Sequence, residues 1–144
     1  MKLRRWKYTD ISEIAEFQVR EEFPDRWNYN MLAESFLSER FYGVLAEEKG
    51  EIVGVAAIGF NLDEADLELV LVAKSLRRQG VGKSLMDELM KECAARELKK
   101  LFLEVRESNL PAISLYEKYG FIKISQRKKY YKDGENADVM LKRF

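Results

Sequence analysis

Histidine is absent from this 144-residue chain. That omission removes the Ser-His-Asp and Cys-His catalytic arrangements and the histidine-based zinc sites together. A single cysteine, Cys93, has no partner for an intramolecular disulfide and cannot build a multi-cysteine metal cluster, so no metal is expected. Proton chemistry must fall to Glu, Asp, Lys, Tyr, Cys or bound water. Pro24 and Pro111 are the only prolines, and no linker, repeat or low-complexity tract interrupts the sequence. Residues 1–144 therefore read as one domain, long enough to bury roughly 70% of its unfolded surface. No stretch approaches the roughly 20 apolar residues of a membrane span. The opening MKLRRWKYTD carries positive charge with no apolar run behind it, unlike a signal peptide, so the expected location is cytoplasmic, with no membrane partner. Nor is there net charge: Lys plus Arg and Asp plus Glu number 25 each, which gives no overall basic field to attract nucleic acid.

What is present describes a globular chain, 47% apolar and 35% charged. A strand is predicted over Leu3 to Tyr8, then a helix starting at Asp10. There Glu13 completes a capping-box pattern, and Ile11, Ile14, Ala15 and Val19 form an apolar stripe. A looser helical stretch follows Asn30. FYGVLAEE and EIVGVAAIGF read as strands joined by a hairpin turn at Lys49-Gly50. After a turn at Asn61 to Glu64 comes DLELVLV, in which Leu67, Leu69 and Leu71 alternate with Glu68, Val70 and Val72. Val81, Leu85, Leu89 and Cys93 recur at i+4 and define the apolar face of the next helix, which makes Cys93 a buried small hydrophobe. KKLFLEVRESN supplies a further strand, and NLPAISLYEKYGF a short helix with Asn109 as N-cap, Pro111 in its first turn and Gly120 as its stop. FIKISQRKKYY and ADVMLKRF, around KDGEN, read as two strands and a turn. Strand, helix and strand in the middle require at least one parallel pair, with hairpins on either side. The expected fold class is α/β (α+β): a mixed, mostly antiparallel central sheet with a parallel central pair, flanked by helices.

Between DLELVLV and its following helix lies RRQGVGKS, residues 77 to 84. A nucleotide P-loop needs a glycine five residues before Gly82, where Arg77 stands, and a dinucleotide fingerprint needs one where Leu85 stands. What remains is R-x-x-G-x-G at a strand-to-helix junction. Gly80 and Gly82 let backbone approach an anion, the first helical turn offers N–H groups at its positive dipole end, and Arg77, Arg78 and Lys83 add charge. Alone, the same residues also read as a glycine-softened helix start with solvated basic side chains.

R-x-x-G-x-G after an apolar strand, followed by LEVRESNLPAISLYEKYGF, resembles the GNAT superfamily of acetyl-CoA-dependent N-acetyltransferases, over most of Asp63 to Leu141. LEVRESN, LYEKYGF and RKKYYKDGENADVML are more specifically similar to the ribosomal-protein alanine N-acetyltransferases and the archaeal protein N-terminal acetyltransferases. Among the first 60 residues only Phe23-Pro24 and Trp27 share in this likeness. The resemblance implies acetyl-CoA as cofactor, with its pyrophosphate on Arg77, Arg78, Gln79, Gly80, Val81, Gly82 and Lys83. The pantetheine arm would lie along Val70, Leu71 and Val72, with Asn109 as a further contact. It also implies direct transfer, in a ternary complex, to an amine such as the N-terminus of a ribosomal protein.

Acetyl transfer to an amine needs a neutral amine, a polarised carbonyl and a proton for the departing thiolate. An α-amine with a pKa of roughly 8 is mostly charged at neutral pH and must lose a proton. Glu104 interrupts LFLEV and should project opposite Leu101, Leu103 and Val105. The resemblance makes it the general base, while strand pattern alone equally pairs it with Arg106. Glu68 is its rival on the preceding strand. Tyr116 is by resemblance the acid that protonates the thiolate, and by pattern a core aromatic beside Ala112, Leu115 and Tyr119. Tyr130 and Tyr131 match a pair that grips the substrate peptide, or form a strand pair with one ring in the core. Glu21, Glu22 and Asp25 fit either a basic peptide or a solvated helix end. Other readings within the same motifs are an acetyltransferase for a small amine or lysine side chain, and a non-catalytic acyl-CoA-binding sensor.

Overall fold

The computed structural model describes residues 1–144. Four helices, α1 (Ile11–Arg20), α2 (Tyr29–Leu37), α3 (Val81–Ala95) and α4 (Leu110–Lys118), flank seven strands: β1 (Lys2–Arg5), β2 (Phe41–Glu48), β3 (Glu51–Asn61), β4 (Glu64–Val72), β5 (Lys100–Arg106), β6 (Ile122–Arg127) and β7 (Ala137–Arg143). The strands form one sheet in the order β1-β2-β3-β4-β5-β7-β6. Only β4 and β5 run parallel, the chain crossing back between them through α3; every other neighbouring pair in the sheet is antiparallel. The mixed, mostly antiparallel sheet expected from the sequence is thus observed. No helix is long and apolar enough to cross a membrane.

Each face of the sheet carries its own core. On one, Val81, Leu85, Met86, Leu89 and Cys93 of α3 and Tyr116 of α4 pack with Val44, Ile58, Leu67, Leu101 and Leu103. On the other, Ile11, Ile14 and Phe17 of α1 and Leu32 of α2 pack with Leu45, Val55, Leu69 and Leu71. The i+4 stripe of α3 therefore buries as its spacing predicts, Cys93 included. Lys49 and Gly50 both take positive φ, 53° and 80°, as a two-residue hairpin turn requires.

Three local expectations are corrected. Leu67 does not share a face with Leu69 and Leu71: β4 pairs with β3 as Ile58↔Leu67 then Ala57↔Leu69, so Glu68 is an extra, bulged residue that shifts the alternation by one. Asp10 does not cap α1, since no helical N–H bonds to its side chain. Its carboxylate instead accepts the Lys7 N–H at 2.6 Å and two bonds from Arg4 at 2.8 and 2.9 Å, which hold it below the ordinary carboxylate range. Near the end of α1 the position buried with Ile11, Ile14 and Phe17 is Gln18, while Val19, expected in the apolar stripe, is 60% exposed. Gln18 brackets the backbone of Trp27, accepting its N–H at 2.9 Å and donating to its carbonyl at 3.0 Å, so a polar side chain is buried with its needs met.

The Asp10 contacts predict a pH signature. Because the folded carboxyl binds a proton less readily than its ordinary 3.8, its contribution is full above that value and is lost as pH falls through the lower, folded one. Asp10→Asn should lower stability at pH 7 by about 1–3 kcal/mol. Urea denaturation across a pH series should show the gap to wild type closing in acid.

Candidate active site

The pairing of β4 with β5 covers only Glu64↔Lys100, Ala65↔Leu101 and Asp66↔Phe102. Beyond these rungs the strands part, and a gap opens in the middle of the sheet. Ala73 N–H donates to Val53 O at 2.9 Å, so by alternation the backbone groups of Leu71 also face β3, while those of Val70 and Val72 face the gap. The Leu71 side chain is buried against the α1–α2 face.

At the end of β4, one turn of 3-10 helix, Lys74–Leu76, leads into the Arg77–Gly80 loop and then α3. Arg78 and Gly80 adopt φ of 65° and 86°, a fold-back that turns successive amides the same way. None of the N–H groups of residues 78 to 83 has an acceptor within the chain, and the first bonded amide of α3 is Ser84 N–H, to Gly80 O at 2.9 Å. A Cβ on Gly82 would lie 3.5 Å from Leu115 Cδ2 and 3.7 Å from Val72 Cγ2, so this glycine opens onto the space between the end of β4 and α4. Arg77, Arg78, Gln79 and Lys83 are exposed around it; Lys83 pairs with Asp87 at 2.9 Å, and Gln79 Nε2 donates to Ser75 O at 3.2 Å. Val81 is buried and offers only its backbone. Asn109 caps α4, accepting Ala112 N–H at 3.3 Å. A row of unpartnered donors at a positive helix end, ringed by cations, is chemically suited to a diphosphate.

Tyr116 projects from α4 into the α3–α4 core, tilted against Phe121 with ring centroids 5.8 Å apart. Burial pushes its phenol up to about 12. Glu104 stands on the opposite face, with Leu101, Leu103 and Val105 turned away from it as the strand pattern predicts. Its ion pair is with Arg127 Nε at 3.1 Å, not with Arg106. Arg106 is engaged by Asp25, Asp133 and Glu135. Tyr130 and Tyr131 lie outside any strand, because β6 ends at Arg127 and Lys129 takes a φ of 52°. Their rings meet edge to face at 5.1 Å, with Arg106 stacked 4.1 Å over Tyr131. Burial, then the nearby Glu104 carboxylate, raises the Tyr130 phenol above its ordinary value.

The Acetyltransferase (GNAT) family profile matches residues 8–121. The chain belongs to the GNAT family of acetyltransferases. It is 38% identical over 136 residues to the ribosomal protein bS18-alanine N-acetyltransferase of Escherichia coli K12, covering 92% of this chain and 90% of that protein. It is 30% identical over 154 residues to an N-alpha-acetyltransferase of Sulfurisphaera tokodaii, covering 96% and 90%. The crystal structure of the E. coli ribosomal-protein-S18-alanine N-acetyltransferase superposes with a TM-score of 0.90 at 31% identity, covering 99% of this chain and 92% of that one. Acetyl transfer from acetyl-CoA is the reaction of this family.

Within this GNAT acetyltransferase the bulge places a second carboxylate on the α1–α2 face. Glu68 is half-buried beside Trp6, Trp27, Phe41 and Leu69, and a Cβ on Gly59 would sit 2.9 Å from its Oε2. It has no ion-pair partner. Burial, then the charge of Asp66, raises its carboxyl above the ordinary 4.5. Sequence reasoning missed Gln18 altogether, and missed the contacts by which Trp27, Glu21, Asp25 and Arg106 shape this side. Gln18 holds Trp27 nine residues on, Glu21 accepts Lys74 N–H at 2.7 Å, and Arg106 reaches Asp25 across 81 positions. A buried glutamine in an apolar helix stripe was the one local signal.

Since the folded Glu68 carboxyl prefers its proton, its stabilising effect is full below the ordinary 4.5 and is lost as pH rises through the higher, folded value. Glu68→Gln should therefore melt above wild type at pH 7. Thermal scans should show that advantage shrinking as the pH is lowered toward that of the ordinary carboxyl.

Proposed function

We propose that this GNAT acetyltransferase modifies the N-terminal α-amine of proteins, in a direct transfer with acetyl-CoA and acceptor bound together. The observation that carries the reading is the end of β4–β5 pairing at Asp66 and Phe102, with candidate groups on both faces of the sheet beyond it. The α3–α4 side holds the unpartnered amides of 78 to 83 and Tyr116; the α1–α2 side holds Glu104, Tyr130 and Tyr131. Acetyl-CoA bound on the first side supplies an acetyl thioester to an amine arriving on the second. The names of the E. coli and S. tokodaii relatives support the α-amine as acceptor and a ribosomal protein as its source.

In this scheme the amides of 78 to 83, with Arg77, Arg78 and Lys83, hold the diphosphate, and Asn109 borders it. Glu104 accepts the proton that the ammonium must lose before its nitrogen can form the new bond to the acetyl carbon. Val70 and Val72 turn N–H groups to the gap, where a donor stabilises the oxyanion as the carbon–sulfur bond breaks. Tyr116 gives the leaving sulfur its proton. A phenol at about 12 stays protonated at neutral pH, but passing its proton to a thiolate of ordinary pKa near 8.5 is uphill, so fixed positioning beside Phe121 has to supply the rest. Tyr130 and Tyr131 line the acceptor's approach.

A second reading makes Glu68 the base, and one observation favours it: its carboxyl is unpaired and already raised, as a general base requires, whereas Glu104 is held by Arg127. Thiol release from acetyl-CoA with peptides differing at their first two residues, beside lysine and polyamine controls, tests acceptor and base together. Glu104→Gln should lose about 100-fold or more in kcat with Glu68→Gln close to wild type. A near-normal Glu104→Gln transfers the role to Glu68, and turnover of the controls alone removes the N-terminal assignment.

Gly82→Ala isolates the cofactor side. The added methyl makes only ordinary contacts, at 3.5 and 3.7 Å, and alanine favours helix by up to about 1 kcal/mol. The melting temperature should not fall, while the KM for acetyl-CoA should rise about tenfold.

A further inference from the structure

We propose that Arg106 is a positioning residue for the acceptor: it clasps the loop between α1 and α2 to the loop between β6 and β7 and so sets the walls of the acceptor-side mouth. The inference rests on the proposed function for which face receives the amine. Arg106 ends β5, two residues beyond Glu104 and on the same face of the strand. Its Nε and Nη2 donate to Asp25 Oδ2 and Oδ1 at 3.0 and 2.8 Å, a two-pronged bond to the α1–α2 loop. Its Nη1 donates to Asp133 Oδ2 at 2.8 Å and Glu135 Oε1 at 2.9 Å, both on the β6–β7 loop. The guanidinium plane also stacks 4.1 Å over Tyr131. The second oxygen of Glu135 accepts Ser108 N–H at 2.9 Å, which extends the clasp to the turn before α4.

No other hydrogen bond joins the α1–α2 loop to the β6–β7 loop. At its far end the α1–α2 loop is fastened to the end of β4 by Glu21 and Glu22, which hold Lys74 at 2.7 and 3.2 Å. The loop therefore runs from the end of β4 to the end of β5, across the gap. Freeing Arg106 would release one wall from β5 and loosen the other beneath Tyr131, without touching the amides of 78 to 83. Lysine cannot substitute, because a single ammonium cannot meet three carboxylates in the geometry of a planar fork. The Arg106 side chain is only 15% exposed, and Asp25 and Glu135 are largely covered, so these two contacts are shielded enough for the geometry to count; Asp133 is 62% exposed and adds less.

Steady-state kinetics of the full chain, varying acetyl-CoA and acceptor separately, tests the clasp with Arg106→Lys, Asp25→Asn and the double variant. The acceptor is whichever amine wild type turns over from the panel of N-terminal peptides, lysine and polyamine. A failure of the N-terminal assignment thus shows in wild type alone, and the comparison among variants stands apart from it. Both single variants should raise the acceptor KM about tenfold, equivalent to about 1.4 kcal/mol. The KM for acetyl-CoA should stay unchanged, and the double variant should be no worse than Arg106→Lys. An unchanged acceptor KM, or an acetyl-CoA KM rising in step with it, overturns the proposal. Should Arg106→Lys fail to fold, Asp25→Asn, which frees the α1–α2 loop, and Asp133→Asn combined with Glu135→Gln, which frees the β6–β7 loop, carry the same test.

Discussion

The parallel pairing of β4 with β5 ends at Asp66 and Phe102, and the backbone groups beyond it cannot be sealed from water without a partner. A sheet that parts in its middle has two inner edges as well as two outer ones. On β4 those inner groups belong to Val70 and Val72, which lie against the α3–α4 core and next to the N-terminus of α3. The split thus places free backbone donors and acceptors beside a positive helix end.

Holding the split open is a packing and hydrogen-bonding task shared by both faces. On one, Tyr119 lies 2.6 Å from Asp87 and 3.0 Å from Lys83 O, which ties α4 to the first turns of α3. Lys142 donates to Tyr119 O at 2.6 Å and secures the end of α4 to β7. On the other, Gln18, Glu21 and Arg106 fix the α1–α2 loop at three places. Isolated exposed ion pairs contribute little, so Lys91 with Glu88 is of small account. The bidentate bond of Arg106 to Asp25 is of another order because its donors are fixed in a plane and the guanidinium is largely covered.

Much of this was legible in the sequence where the determinants are local. The i+4 stripe of α3, the Lys49-Gly50 turn, the Asn109 cap and the R-x-x-G-x-G loop each depend on residues within a few positions of one another, and each is found where expected. The acceptor side was not legible in the same way. The bulge at Glu68 has no residue-type signature, yet it moves Leu67 to the other face from Leu69 and Leu71. Asp10 was taken from its cap by Arg4, and Glu104 from Arg106 by Arg127, in both cases because a partner brought near by the fold competes better than the nearer residue in sequence. Tyr130 and Tyr131 left the strand pattern where Lys129 turns the backbone. Family likeness named the residues on this side; their surroundings came only from contacts far apart in the chain.

The two openings of the split sheet are built from different parts of the chain: β4 and α3 through α4 on one face, α1, α2 and the β6–β7 loop on the other. Because the sheet separates them, a substitution on one side has few neighbours on the other through which to act. On the proposed reading, the walls of the Glu104 side can change while the loop of residues 77 to 83 stays as it is. On that reading the protein is a fixed socket with an exchangeable front, in which a different amine would call for no new chemistry, only new walls.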